Sequence, residues 1–142
     1  MKRILVNSMM LFVALATLTL TSCKKSNEDL IIGKWNTSVA TMTTTDAQGA
    51  TETTDLSPIF KGFEFTEDGN GNAFVQLTEE GAEPMACTWT IEEDKLSVII
   101  TDMSMTMDLN ILEIDKEKLV LESVSEVYGT TFTMHFEMEK AE

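Results

Sequence analysis

The stretch Thr131–Met138, which reads TFTMHFEM, places an apolar side chain at every second position. Phe132, Met134, Phe136 and Met138 alternate there with polar residues. A period of two is the period of a β-strand, in which successive side chains point to opposite faces. The stretch therefore predicts a strand with one face buried and the other face in water.

The same alternation recurs through most of the chain after Leu30. Turn-forming sequences rich in Asp, Gly and Asn separate the alternating runs, at 46–49, 68–71, 93–95, 115–117 and 129. The apolar positions of the other runs are Cys87, Trp89 and Ile91; Leu96, Val98 and Ile100; Met103, Met105, Met107, Leu109 and Ile111; and Leu119 and Leu121. The pattern predicts about eight strands joined by short turns.

Short connections between consecutive strands indicate an antiparallel sheet, because a parallel connection needs a dozen or more residues. A sheet of eight strands hides one face by closing into a barrel or by doubling into a sandwich. Short sequential hairpins favour the barrel. We therefore expect residues 30–142 to form an all-β, up-and-down antiparallel barrel of about eight strands. One helical turn is expected near 56–61, where Ser57 can cap and Pro58 can open it.

Composition limits the possible functions. The chain has 142 residues and a formal net charge of −14, which fits one acidic domain and argues against nucleic acid as a partner. Two cysteines exclude a disulfide scaffold, and a single histidine excludes a His-rich metal site. No motif indicates a cofactor.

The N-terminal segment has the pattern of an export signal. Lys2 and Arg3 precede a mostly apolar, uncharged run from Ile4 to Leu20. The sequence Leu-Thr-Ser-Cys that ends at Cys23 resembles the lipobox of bacterial lipoproteins. Two other interpretations are a soluble secreted protein and an uncleaved membrane anchor.

The lipobox resemblance implies that residues 1–22 are a signal peptide and that Cys23 becomes the lipidated first residue of the mature protein. Acyl chains such as palmitate would then hold the protein on a membrane. Residues 23–29 are expected to form a short polar tether. Lys24 follows the cysteine where an inner-membrane lipoprotein carries Asp, so we expect the outer membrane.

The start of the domain resembles that of a known family. Gly33-Lys34-Trp35 is similar to the Gly-x-Trp opening of lipocalins. The segments 63–69, 88–91 and 114–121 resemble strand-turn elements of bacterial lipocalin-like lipoproteins. The resemblance implies a calycin-type β-barrel that binds a small apolar or amphipathic molecule without catalysis. In lipocalins the Trp plugs one barrel end, often under an Arg. No Arg follows Arg3 here, and a Lys could substitute only as a point charge, without the planar stacking of a guanidinium.

The resemblance implies a ligand inside the barrel, and the alternation indicates which side chains face it. Trp35 would close one end of the barrel. The middle would be lined by Trp89, Met105, Met107, Phe132, Met134 and Phe136. The methionines on the inward faces allow three interpretations, which are core filling, an adaptable apolar pocket and a site for Cu(I). Side chains two residues apart along one strand are too widely spread to converge on one ion.

Other candidate sites have simpler interpretations. The segment from Asp68 to Glu79 has the oxygen spacing of an EF-hand loop. Ala73, however, stands where that loop needs Gly, so a hairpin turn is favoured. His135 is expected to face solvent, and Cys87 to be a small buried hydrophobic residue. Without a nucleophile and base in one pattern, we expect no enzyme and no metal site.

A second functional hypothesis is a structural or protein-interaction module of the cell envelope, with a barrel filled by its own side chains. The two hypotheses differ in one measurable feature. A binder should contain an internal cavity of roughly 300 Å3 or more, because drug-sized ligands need about that space. A filled barrel should contain none.

Overall fold

The computed structural model describes residues 25–142, so the predicted signal peptide and Cys23 lie outside the described residues. One short helix precedes nine strands, and a 3-10 helix spans Thr101–Met103. The elements are α1 (Asn27–Ile31), β1 (Gly33–Thr45), β2 (Thr51–Asp55), β3 (Phe60–Phe65), β4 (Asn70–Thr78), β5 (Gly81–Glu92), β6 (Lys95–Ile100), β7 (Met105–Ile114), β8 (Lys118–Val127) and β9 (Thr130–Lys140).

The strands form a closed antiparallel barrel with eight positions. Each strand from β3 to β9 pairs with the next, and β9 returns to pair with β1 along most of its length. Strands β2 and β3 together occupy the place next to β1. Residues 41–45 of β1 pair with β2, and residues 33–36 of β1 pair with β3. The predicted eight-stranded up-and-down barrel is therefore confirmed.

A single turn separates β2 from β3, where the sequence predicted one helical turn. The backbone N–H groups of Ile59 and Phe60 donate to the Leu56 carbonyl, at 2.9 and 2.8 Å. The turn does not continue into a helix. Ser57 does not cap it; instead, the Ser57 hydroxyl accepts a hydrogen bond from the Ala40 N–H at 2.9 Å and so ties the turn to β1.

The regular α-helix lies in the expected tether. Residues 27–29 of that segment belong to α1, whose N-cap Ser26 accepts a hydrogen bond from the Asp29 N–H. The Asn27 amide donates to the Glu93 carbonyl at 3.1 Å and to the Asp94 carboxylate at 2.8 Å. These contacts fix α1 on the β5–β6 turn, so residues 27–29 of the expected tether are helical in the structure.

The strand predicted to begin at Met103 begins two residues later. Thr101–Met103 forms a 3-10 turn, and Ser104 then takes a left-handed conformation with φ of 49°. Local alternation cannot detect this change, because Met103 and Met105 keep the spacing of a strand while the backbone between them turns.

The barrel has two different ends. Helix α1 and the turns after β3, β5 and β7 meet at one end, which we call the closed end. The loops after β1, β4, β6 and β8 meet at the other end, which we call the mouth. None of the described helices is both long and apolar enough to cross a bilayer.

Candidate functional site

Trp35 closes one end of the barrel, as the sequence predicted. Its side chain is fully buried, and its indole N–H donates to the Ile31 carbonyl at 2.7 Å. Ile31 is itself buried at the end of α1. The hydrogen bond satisfies the indole nitrogen and fixes the helix across the barrel opening.

Lys140, near the C-terminus, covers the Trp35 ring. Its Nζ lies 4.6 Å from the ring centroid and donates to the carbonyls of Leu30 at 3.0 Å and Ile32 at 2.5 Å. Those carbonyls belong to the end of α1, where helix carbonyls lack partners within the helix. Burial lowers the pKa of the Lys140 ammonium, and the charge of Lys25 lowers it further. A lysine thus takes the place that the resemblance assigned to an arginine.

Aromatic side chains pack together in the half of the barrel interior that lies nearer the closed end. The ring centroids of Phe60 and Phe63 are 4.8 Å apart, those of Phe63 and Phe65 are 5.3 Å apart, and those of Phe65 and Trp89 are 5.6 Å apart. Phe136 joins the chain at 5.0 Å from Phe60. These spacings are those of packed aromatic pairs, so these rings leave no space for a large ligand between Phe60 and the closed end.

An apolar cavity of about 160 Å3 lies on the mouth side of these aromatic rings. Phe60 and Phe136 form part of its lining, and every lining side chain is apolar. Its lining residues are Leu56, Ile59, Phe60, Val75, Ile100, Met103, Met105, Met107, Met134 and Phe136. The cavity is about half the size that we expected of a ligand site.

Four of the predicted ligand-binding residues line this cavity: Met105, Met107, Met134 and Phe136. Trp35 and Trp89 do not line it. Trp89 lies at the other end of the aromatic chain, where its indole N–H donates to the carbonyls of Thr66 and Asn70. Phe132 lies near the start of β9, where it is partly buried, and it is not part of the lining.

The other six lining residues were not among the predicted ligand-binding residues. Leu56 and Ile59 lie in the turn between β2 and β3, which has no alternating pattern. Met103 lies in the 3-10 turn rather than in a strand, and 47% of its surface is exposed. The large apolar residues Leu56 and Ile59, within the predicted helical turn at 56–61, are the signal that could have revealed this part of the lining.

The methionines divide between the cavity and the core. Met103, Met105, Met107 and Met134 line the cavity, whereas Met138 is fully buried near the closed end. The adaptable-pocket and core-filling interpretations therefore each describe part of the set. No cluster of three or more His, Cys, Asp or Glu residues in the described part of the chain could hold a metal ion.

The remaining reactive groups lie away from the cavity. Cys87 is a free thiol, 2% exposed, and burial raises its pKa, so the nucleophilic thiolate is disfavoured. His135 points outward between Glu122 and Glu137, with nitrogen–oxygen distances of 3.7 and 3.3 Å. Both residues agree with their predicted environments.

The segment with EF-hand spacing is a hairpin turn, as predicted. Asp68 accepts hydrogen bonds from the Thr66 hydroxyl and the Asn70 N–H within the β3–β4 turn. The Thr66 and Asn70 hydrogen bonds lower the pKa of Asp68 to about 2. Glu79 lies beyond the other end of β4, about 27 Å away at 3.3 Å per residue, so the two carboxylates cannot share an ion.

Comparisons with known proteins bear on the fold. No protein-family model matches the chain, and no curated protein matches it. Similar solved structures include a lipocalin-like protein from Bacteroides uniformis, 17% identical with a TM-score of 0.47, covering 78% of this chain and 98% of that one. The bovine odorant-binding protein in complex with undecanal is 14% identical with a TM-score of 0.50, covering 85% of this chain and 77% of that one. The barrel has a lipocalin-like fold.

Proposed function

We propose that the protein is a non-catalytic binder of a small apolar group, which enters the cavity at the barrel mouth. The observation that carries this proposal is the cavity itself, whose lining side chains are all apolar. Empty apolar cavities exclude water and bind apolar molecules, because their walls lack partners for van der Waals contact. Lining methionines can adjust to different ligand shapes.

The cavity volume limits the ligand. At about 160 Å3 it resembles an engineered apolar cavity of about 150 Å3 that accepts benzene. A short alkyl segment or one small aromatic ring would fill it, and the rest of a longer molecule would extend through the mouth. The bovine odorant-binding protein binds undecanal, an apolar chain with a polar end, and a ligand of this kind fits the proposal.

The second hypothesis, a filled barrel without a ligand, is favoured by the aromatic chain from Phe60 to Trp89. It predicts that the mouth cavity is only a packing gap. Titration calorimetry with 1-octanol separates the two. Burying several methylenes at about 0.8 kcal/mol each predicts a dissociation constant on the order of 0.1 mM for a binder. A filled barrel would release no heat of binding.

A charge placed in the lining tests the location of binding. Met105 lines the cavity and is 37% exposed, so Met105→Glu should fold normally while leaving a carboxylate beside the ligand. Binding of 1-octanol should weaken at least about tenfold. Leu112→Glu is the matched control, because Leu112 lies on the same strand, is 56% exposed and is remote from the cavity. Equal affinities in the two variants would contradict the proposal.

We further propose that the mature protein is anchored to the outer membrane by acyl chains on Cys23. The support is the order of the sequence signals, from Lys2 and Arg3 through the apolar run to the lipobox-like end. Mass spectrometry of protein purified from its own cells should find a mature chain that begins at Cys23 and carries lipid. An unmodified Cys23 would contradict the anchor.

The anchor would also orient the barrel. Three residues separate Cys23 from Asn27, where α1 begins at the closed end. Four residue steps span at most about 15 Å, so the closed end would lie against the membrane. The mouth would then open away from the bilayer, and a ligand would enter from the aqueous phase. An envelope role of this kind suits either functional hypothesis.

A further inference from the structure

Charge is distributed unevenly between the two ends of the barrel. The mouth loops and the adjoining strand ends, residues 41–59, 76–86, 99–106 and 122–135, contain no Lys or Arg. The same segments contain these acidic residues: Asp46, Glu52, Asp55, Glu79, Glu80, Glu83, Asp102, Glu122 and Glu126. The apolar cavity therefore opens at the end of the barrel whose loops carry acidic residues and neither Lys nor Arg.

The lysines of the described chain lie mostly at the closed end. Lys61, at the start of β3, is the lysine nearest the mouth. Its Nζ donates to the Ser57 carbonyl at 3.0 Å, and its charge contributes to lowering the pKa of Asp55. The other described lysines are Lys25, Lys34, Lys95, Lys116, Lys118 and Lys140. Among the described residues, Lys61 is therefore the one Lys or Arg near the cavity, and its Nζ already donates to a backbone carbonyl.

Strand register places two of the carboxylates on the inward face of the barrel. Glu83 pairs with Val75, which lines the cavity, and paired residues share a face of the sheet. Glu52 pairs with Thr44, which pairs in turn with Phe132 on the inward face of β9. Asp102 precedes the lining residue Met103. All three carboxylates are exposed, and none forms an ion pair within residues 25–142.

We propose that the mouth selects a cationic amphiphile, a molecule whose short apolar group fills the cavity while an amine or quaternary ammonium stays at the acidic rim. This inference rests on the proposed function, because it assigns a ligand class to the same cavity. A positive head group meets several exposed carboxylates there and a single lysine, Lys61, whereas a fatty acid would bring a further negative charge to those carboxylates. Charge complementarity of this kind sets specificity between ligands with the same apolar part.

Three ligands with the same eight-carbon chain test the proposal: octylammonium, octanoate and 1-octanol. Each is titrated into the full chain at neutral pH and its dissociation constant is measured by titration calorimetry. At low ionic strength octylammonium should bind at least about tenfold more tightly than octanoate, with 1-octanol between them. The difference should shrink in about 1 M salt, which screens charges beyond about 3 Å.

Two triple variants with equal net charge locate the effect. Glu52→Gln, Glu83→Gln and Asp102→Asn together should reduce the preference for octylammonium over octanoate to less than about threefold. Glu67→Gln, Glu92→Gln and Glu139→Gln remove three exposed carboxylates elsewhere on the barrel, mostly at the closed end, and should leave the preference unchanged.

The outcomes separate this inference from the function on which it rests. If none of the three ligands binds, the proposed binding function fails. If 1-octanol binds but octanoate binds as well as octylammonium, the cavity is a site and the cationic preference is wrong. An equal loss of preference in both triple variants would also overturn it, because net charge rather than the mouth would then be the cause.

Discussion

At the scale of single residues, close backbone contacts decide which side chains the barrel accepts. Gly62 has φ of 148° and lies opposite Asn36 in the β1–β3 pairing. A Cβ atom at this position would lie 2.0 Å from the Trp35 carbonyl oxygen. Glycine therefore allows β3 to approach the residue that closes the barrel.

The variant Gly62→Ala should be strongly destabilising. Alanine would have to adopt the positive φ of Gly62, and its Cβ would overlap backbone atoms of β1. Together these effects should lower the free energy of unfolding by about 3 kcal/mol, as urea denaturation would measure. Gly49→Ala is the control, because Gly49 has φ of 85° but no atom within 4 Å of the added Cβ. Its cost should be only about 1 kcal/mol. Equal costs would show that the close approach at Gly62 does not matter.

Lys140 differs from a second lysine that also lies over an aromatic ring. The Nζ atoms of Lys140 and Lys34 are both 4.6 Å from ring centroids, of Trp35 and Phe74 respectively. Only Lys140 also donates to two carbonyls. Lys140→Met should lower the free energy of unfolding by about 1–2 kcal/mol, and Lys34→Met by about 0.5 kcal/mol or less. Thermal unfolding that ranks the variants in the opposite order would contradict this role of Lys140.

At the scale of elements, the turns are stabilised by carboxylates that accept hydrogen bonds from the turn itself. Asp115 accepts from the N–H groups of Glu117 and Lys118, both at 2.8 Å, and Asp46 accepts from Gln48 and Ala50. The sequence predicted both turns, because Asp is a turn residue for this reason. Short-range chemistry of this kind can be recognised without the fold.

The turn carboxylate Asp68 should make stability depend on pH. Its pKa is about 2 in the folded protein, against an ordinary value of 3.8, so the folded state favours the charged form. The resulting stabilisation is complete above about pH 4 and is lost as pH falls towards 2. The melting temperature of the wild type, measured relative to Asp68→Asn, should therefore fall between pH 4 and pH 2. If the melting temperatures of the wild type and Asp68→Asn change by the same amount across that pH range, Asp68 is not held in its charged form.

The strands were predictable and their interruptions were not. Alternation in 131–138 and in 87–91 identifies strands, because each residue's burial repeats with period two. The division of β2 from β3, the 3-10 turn at Thr101–Met103 and the docking of α1 depend on distant residues. The Ser57–Ala40 and Asn27–Asp94 hydrogen bonds, for example, join residues 17 and 67 positions apart. Local pattern carries no information about such contacts.

At the scale of the whole molecule, the two ends of one barrel have different roles. The closed end is packed and capped by Trp35, Lys140 and α1, and the aromatic chain extends this packing to Phe60. The mouth retains an apolar cavity, and its loops carry acidic residues but neither Lys nor Arg. The sequence predicted a common apolar interior and its closed end, but the size and position of the cavity depend on how side chains from five strands and two turns meet.

The most direct test of binding at the mouth is a methyl NMR titration of protein labelled at the methionine methyl groups, with 1-octanol as the ligand. The described chain has four methionines on the cavity, Met103, Met105, Met107 and Met134, and three elsewhere, Met42, Met85 and Met138. The methyl signals of the first four should shift with a common, saturable dissociation constant while that of Met138 stays fixed. Shifts spread evenly over all seven, or none at saturation, would contradict a ligand site in the mouth of this barrel.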